Sequence, residues 1–384
     1  MSRRAGGPPA GEISSARAFR CFGRVLFALL FLLLGTALSA AENARYLRVG
    51  EPFPEEPLPM PDAQADRAYL GLRGGESFTL SQVGAELVLV EILNTHCSHC
   101  QKQTLPFNRL FELIEKDPRT RGRIKMLAVA VGNVGAEVED FRDIYEVPFP
   151  VLADPRFALH RALGGSPTPF AAYVRFEPGG GAGLVAGTHL GANSRYRRLF
   201  EELLGLLEQD LSFLRRRGPQ GNALVRVEPI VSEEGMETTV RAAFATLGAP
   251  VKAFRRVALP SGRRVYAAFV GGEGGERRFF AEAISRPSVC DLCHDVHFVY
   301  LFDTAGEVLG FIPLLLTKYG NVHWDDSDIA KLRGRMVGQS LNRPPLFHPE
   351  VDAVTTATIT SALIFDSLGQ GRKLLAELRQ EGLL

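Results

Sequence analysis

Cysteine is scarce in this chain, and the placement of the few that occur carries much of what the sequence says. There are five in 384 residues. Cys21 stands alone near the amino terminus, and the others form two Cys-x-x-Cys pairs, Cys97/Cys100 and Cys290/Cys293. None is spent on an ordinary structural bridge, which excludes a disulfide-stapled scaffold and favours a redox or cofactor role. Excess charge is lacking too: a net +1 removes the electrostatic case for a nucleic-acid partner. The apolar run from Val25 to Leu34 is short for a membrane span. No internal repeat is visible. What remains is ordinary globular material, 46% hydrophobic and 23% charged, long enough for two domains and ample core.

The amino terminus reads as a targeting segment. Arg17, Arg20 and Arg24 precede the apolar run, and small residues from Gly35 to Ala41 follow it, the pattern of a secretory signal cut after Ala41. An uncleaved anchor is the alternative. Cys21 lies before the apolar core, so it is not a lipid-attachment cysteine. The mature protein is expected to be exported, most simply to a bacterial periplasm, where a dithiol meets disulfide substrates.

The first pair ends a stretch with a clear local logic. Leu87 to Leu93 is apolar and β-branched, the length of a buried parallel strand. Gln101 to Lys116 places Leu105, Leu110, Leu113 and Ile114 on one helical face. Cys97 therefore sits where a strand hands over to a helix. The unpaired N–H groups and positive dipole end of a first turn favour a thiolate there, and the thiolate is the attacking species. Cys100, one turn along, is placed to resolve a mixed disulfide. This chemistry needs the Cys97 sulfur ionised and reachable. His96 and His99 flank the pair, and a cation there would lower its pKa further from ~8.5. Exposed histidines titrating near ~6.5 are the equal alternative.

The stretch resembles the active site of thioredoxin-fold oxidoreductases, in their exported or membrane-tethered, TlpA/redoxin-like branch. Two further features match. Glu91, six residues before Cys97, stands where that family keeps a buried acid that handles the second cysteine's proton. Ser166-Pro167-Thr168 is similar to the family's cis-proline loop, with Pro167 orienting the substrate chain over the dithiol. Departures are His96 in place of a tryptophan, Pro106 one residue late in the helix, and the extra Pro169. The resemblance covers roughly residues 47 to 210 and implies an α/β three-layer sandwich.

In chain order, residues 1–41 form the signal, 42–65 a proline-rich approach, 66–211 the thioredoxin-like domain, 212–223 an arginine-bearing linker and 224–384 a smaller α+β domain. A small strand pair is expected at 68–72 and 77–80. Further strands are expected at 124–131, 150–153, 170–176 and 183–189, with helices at 137–145, 155–163 and 195–211. In the second domain the pattern gives strands at 253–258, 264–269, 277–283, 296–302 and 308–316. Helices are expected there at 237–247, 327–336 and 359–368.

The second pair is open to three readings. Cys290-Asp-Leu-Cys293-His294 has the form of a c-type haem attachment site. With His297 added, the same residues suit a metal. A dithiol that exchanges with the first pair needs no cofactor. His323, His348 and Met336 are candidate second axial ligands, though each is more often surface or core. The run from Asp352 to Ser361 resembles the signature of FMN-binding domains in membrane redox complexes, which implies FMN phosphoester-linked to Thr358. It departs from that family at Thr356, where glycine is usual. A threonine-rich helix start is the plainer reading.

Together these features imply an exported thiol–disulfide oxidoreductase with an accessory redox domain. Cys97 attacks, Cys100 resolves, Glu91 moves the proton and Pro167 orients the partner. The partner expected is a protein disulfide or dithiol, such as an apocytochrome cysteine pair, with a membrane electron donor. Two rivals remain: a peroxiredoxin-type peroxidase, disfavoured because Thr95 stands two residues before Cys97 rather than three, and a non-enzymatic flavin or haem carrier or sensor.

Overall fold

Side-chain alternation decides how the first sheet is covered. The computed structural model describes residues 43–44, 46–177, 181–219, 225–226, 230–247, 250–272, 275–289 and 294–384. The apolar run 87–93 forms β1 (Leu87–Leu93), buried along its whole length. It pairs in parallel with β2 (Ile124–Val131), which pairs in parallel with β3 (Val151–Asp154). On its other side lies antiparallel β4 (Phe170–Arg175), followed by β5 (Leu184–Leu190), so the sheet order is β3-β2-β1-β4-β5. Odd-numbered Leu87, Leu89 and Leu93 enter one apolar cluster, and even-numbered Val88, Val90 and Ile92 enter another. Period 2 thus sends Glu91 to the same face as the odd residues.

That odd face is covered by α2 (Ser98–Lys116) and α5 (Tyr196–Glu208), through Phe107, Leu110, Ile114, Leu199 and Leu203. The buried face of α2 runs through Gln103, Phe107, Leu110 and Ile114, so Leu105 falls outside it and is 60% exposed. Its expected place in the core is corrected on that ground. α3 (Gly135–Ile144) joins the cluster of that odd face through Val138 and Phe141, while α1 (Gln64–Leu70) and α4 (Ala158–Ala162) enter the cluster of the opposite face through Leu70 and Leu159. The strand expected at 68–72 is instead the end of α1, closed by Gly71 at φ 74°, and only Ser77–Phe78 is extended, paired with Leu58–Pro59. The proline-rich approach is not a free arm. Gly50 N–H donates to Val185 O and Phe53 N–H to Gly183 O, along the β5 edge. Gly50, at φ +89°, also lies against Gly218, where a Cβ would come within 2.7 Å of the Gly218 carbonyl oxygen. The expected linker begins as α6 (Leu211–Arg217) rather than as irregular chain.

The second domain is an antiparallel meander. β6 (Val251–Val257), β7 (Arg264–Gly272), β8 (Gly275–Arg286), β9 (Val296–Asp303) and β10 (Val308–Leu315) lie in sequence order. α7 (Glu233–Ala245) covers one face through Met236, Val240 and Phe244. On the other side stand α8 (Asp326–Met336), α9 (Pro349–Asp352), α10 (Thr358–Gly369) and α11 (Gly371–Gln380), the last not anticipated from the sequence. Val225–Arg226 pairs with Asn43–Ala44 rather than with the main sheet. The fold is a thioredoxin-like α/β sandwich followed by a smaller α+β domain.

The two domains share core. Val90, Val129, Phe157 and Leu163 of the first belong to one buried cluster with Ile284, Val289, Phe298 and Phe365 of the second. Across the junction Asp366 accepts from Arg161 of α4 and, at 2.5 Å, from Arg286 at the end of β8. Among the described residues no helix is long and apolar enough to cross a membrane. The signal segment lies outside the described residues.

Candidate active site

Cys97 is the N-cap of α2, with extended backbone at φ −80° and ψ 116°, and Cys100 sits in the first turn. The turn that delivers them is pinned by side chains. Asn94 Nδ2 donates to Val131 O at 2.7 Å, Asn94 Oδ1 accepts from His96 N–H at 2.9 Å, and Asn133 Oδ1 accepts from Thr95 N–H at 3.0 Å. Gln101 Nε2 donates to Thr95 O at 2.8 Å. With its polar groups paired, this buried turn holds one conformation. His96 is exposed and lies 2.8 Å from Glu137 Oε1. Burial alone would raise the Glu137 pKa, but hydrogen bonds from His96, Val134 N–H and Asn133 outweigh it and hold the carboxyl below its ordinary value.

Beneath the pair lies Glu91, 2% exposed on β1. Burial pushes its pKa up to about 7, opposed by a hydrogen bond from Gln103 and assisted by the charge of Cys97. The Cys100 thiol is pushed well up by burial, and further by the hydrogen bond and charge of Cys97 and by the charge of Glu91. Cys100 is therefore held toward its thiol form, and Glu91 toward its protonated form, by the same burial.

Gln103 was not anticipated. It is 2% exposed, donates to Glu91 Oε1 at 2.6 Å and accepts from Asn193 N–H at 2.7 Å. It ties the acid to the loop after β5. The signal for it was a polar residue on the helix face that otherwise reads apolar.

The loop before β4 completes the site, with one correction. The cis peptide bond joins Thr168 to Pro169, not Ser166 to Pro167. Either proline lowers the cost of the cis form, and the sequence offered no means of choosing between two prolines two residues apart. The Cys97 thiol donates to Thr168 O at 3.5 Å. His160, 2% exposed, braces the loop through Nε2, 2.8 Å from Ser166 O, and burial lowers its pKa to about 4.

The expectation of a reachable Cys97 is overturned. Cys97 is 1% exposed and Cys100 0%. The loop beside them is engaged by the second domain: Val289 O accepts from both the Thr168 N–H and, at 2.9 Å, the Thr168 hydroxyl. Val289 is itself fully buried.

The cofactor expectations find different ground. Cys290 and Cys293 lie outside the described residues. His294 is exposed, while His297 is buried on β9 with Nδ1 3.0 Å from Ser285 Oγ, a paired core histidine. Among the described residues no group of three metal-ligating side chains occurs. His323 and His348 are exposed and Met336 is fully buried in the core. In the run resembling FMN-binding domains, Thr356 takes φ +61°, a conformation that favours glycine. The neighbouring hydroxyls are spent on the fold, Thr360 donating to Thr317 O and Ser361 to Ala357 O, each at 2.9 Å. Asp352 is fully buried between Arg335 Nε at 2.6 Å and the His348 N–H at 2.8 Å. Thr358 is half-buried on the first turn of α10. These side chains thus bond to the backbone and to Arg335 around the start of α10.

A five-stranded sheet with this order, a Cys-x-x-Cys at the head of α2 and a cis-proline loop facing it define a thioredoxin-like domain. No family model matches the chain, and no curated protein matches it. Solved structures similar to it include the thioredoxin domain of a thiol-disulfide oxidoreductase from Bacteroides vulgatus, at 12% identity and TM-score 0.32, covering 41% of this chain and 99% of that one. A secreted thiol-disulfide isomerase from Corynebacterium glutamicum matches at 18% identity and TM-score 0.29, covering 36% and 80%. A secreted disulfide oxidoreductase from Mycobacterium tuberculosis, homologous to E. coli DsbE, matches at 14% identity and TM-score 0.26, covering 35% and 88%.

Proposed function

We propose that the chain is a thiol–disulfide oxidoreductase that exchanges the Cys97/Cys100 dithiol with a protein disulfide. The observation that carries this reading is geometric: Cys97 caps α2 with Cys100 in its first turn, the Cys97 thiol meets Thr168 O of the loop before β4, and buried Glu91 on β1 is held by Gln103 of the same helix. Cys97 attacks the partner disulfide and forms a mixed disulfide. Glu91 takes the Cys100 proton, and Cys100 then attacks Cys97 and releases the reduced partner. A partner backbone reaching Cys97 at the Thr168 edge first displaces Val289 O, which accepts from the Thr168 N–H and hydroxyl. Export follows from the basic-then-apolar segment ahead of Ala41, and that compartment supplies disulfide substrates.

The test is a redox titration of the full chain in dithiothreitol buffers, read by alkylation and peptide mass. The 97/100 peptide is expected to interconvert as a two-electron couple, and Cys97→Ser to abolish exchange. A pair that never oxidises, or a Cys97→Ser protein that exchanges unchanged, overturns the reading. So does peroxide turnover without disulfide exchange, which would make the domain a peroxidase.

A further inference from the structure

Glu91 can take a proton only as a carboxylate, and its burial works against that form. Ala128 of β2 and Ala171 of β4 lie beside it on the sheet and bring no side-chain donor. Beyond Ala171 stands His189 of β5, at a hollow shared with Arg198 and Glu202 of α5. From α2 come Cys100 and Cys97, and the charge of Cys97 also disfavours the carboxylate. Among the described residues one hydrogen bond acts the other way: Gln103 Nε2 donates to Glu91 Oε1 at 2.6 Å.

The sense of that amide is set by the main chain. A backbone N–H can only donate. Asn193 N–H, 2.7 Å from Gln103 Oε1, therefore claims the amide oxygen and leaves Nε2 for Glu91. The reversed amide would set two donors against each other at Asn193. It would also offer Glu91 an acceptor, which suits only the protonated acid. The loop carrying Asn193 is itself tied down. Gly191 N–H donates to Pro169 O at 2.9 Å, and Asn193 Oδ1 accepts from Arg195 N–H at 3.0 Å. On a helix face otherwise built from Phe107, Leu110 and Ile114, a buried amide gives the core less than an apolar side chain would. Its use lies outside packing.

We propose that Gln103 is the residue that positions Glu91 as a base: fixed by the Asn193 main chain with its amide nitrogen toward Oε1, it favours the carboxylate and leaves Oε2 to take the Cys100 proton. This role rests on the oxidoreductase reading above and names what sets its proton step. The proton passes from Cys100 Sγ to Glu91 Oε2. The Cys100 thiolate then attacks Cys97 in the mixed disulfide, the 97–100 bond forms and the partner sulfur leaves. Gln103 neither gains nor loses a proton.

The test is a titration of Glu91 in the reduced full chain by carbon-13 NMR of labelled glutamate carboxyls, the Glu91 signal being the one absent from Glu91→Gln. Its midpoint is expected at about 7 in the parent and about one to two pH units higher in Gln103→Met, which keeps the bulk and loses the donor. Gln103→Glu sets a second carboxyl against Glu91, and the pair is expected to lose its protons in two steps, the upper one above the parent midpoint. A variant that has only lost stability keeps the parent midpoint in its folded fraction, so an unmoved midpoint in both variants overturns the role. The resolving step gives a second readout, in a chain with Cys21→Ser, Cys290→Ser and Cys293→Ser. Thionitrobenzoate is loaded on Cys97 at about pH 4, and its release is followed after a jump in pH. Gln103→Met is expected to release it roughly five- to fiftyfold more slowly at about pH 7 and to recover toward the parent rate as pH rises through the new midpoint. If Glu91→Gln slows release while Gln103→Met moves neither rate nor midpoint, the oxidoreductase reading stands and the role of Gln103 falls. If Glu91→Gln releases at the parent rate, the acid takes no part in exchange and both fall.

Discussion

Glu91 and His160 are both buried and titratable, and they bend stability with pH in opposite senses. Glu91 binds its proton more tightly folded than unfolded, so its contribution falls as pH rises from about 4.5 to about 7. His160 binds its proton less tightly folded, so its contribution falls as pH drops from 6.5 to about 4. Between about 4.5 and 6.5 the two slopes oppose each other and nearly cancel. Glu91→Gln is expected to gain roughly 3 kcal/mol at pH 8 and nothing at pH 4, and to uncover the His160 slope in urea unfolding across that range. An unchanged pH profile would remove the buried-acid assignment. The same variant is expected to slow the Cys100-dependent step about a hundredfold and to erase its inflexion near pH 7, measured by stopped-flow exchange. Glu91, which is buried, was singled out by the resemblance, which implies a buried acid six residues before the first cysteine. Gln103 and His160 were not, because each matters through a partner distant in sequence, Asn193 or the Ser166 carbonyl.

At the scale of elements, the regular pieces were legible wherever period and length agreed. β1 and β2 formed over the ranges read from their apolar runs. The failures occurred where a local pattern admits two periods. Residues 68–72 are short and half apolar, and tertiary contact made them the end of a helix, with Asp66 paired to Arg142 at 2.6 Å. The apolar pattern puts Leu105 on one face with Leu110, Leu113 and Ile114, yet the face that packs runs through Gln103 and Phe107. The two leucines of α2 are therefore expected to differ. Leu110→Ala should cost about 2–5 kcal/mol, and Leu105→Ala within about 0.5 kcal/mol of nothing, by denaturant midpoint at constant m-value. Equal costs would mean the helix is rotated from the packing described.

The shared cluster across the domain junction makes the molecule one mechanical unit from residue 46 onward, a property invisible in a sequence that reads as two domains and a linker. A single cooperative unfolding transition is expected by calorimetry, not two. Asp366 is the place to break that unit. Its carboxylate, 4% exposed, serves two arginines from different domains, of which Arg161 keeps 35% of its side chain in water. Asp366→Ala leaves those two cations facing each other, and the cost is expected at about 2–4 kcal/mol, below that of a fully buried pair. The more telling consequence concerns Cys97. If Val289 is held on Thr168 by this junction, loosening the junction frees the Thr168 loop that meets Cys97, and the sulfur becomes open to reagents. Under native conditions the alkylation of Cys97 by iodoacetamide, followed by peptide mass, should be slow in the parent protein and many-fold faster in Asp366→Ala. A distant core variant of equal stability loss, such as Leu110→Ala, should leave that rate near the parent's. Acceleration in both alike would mean that the site opens by global unfolding, and the junction would then hold nothing over the dithiol in particular.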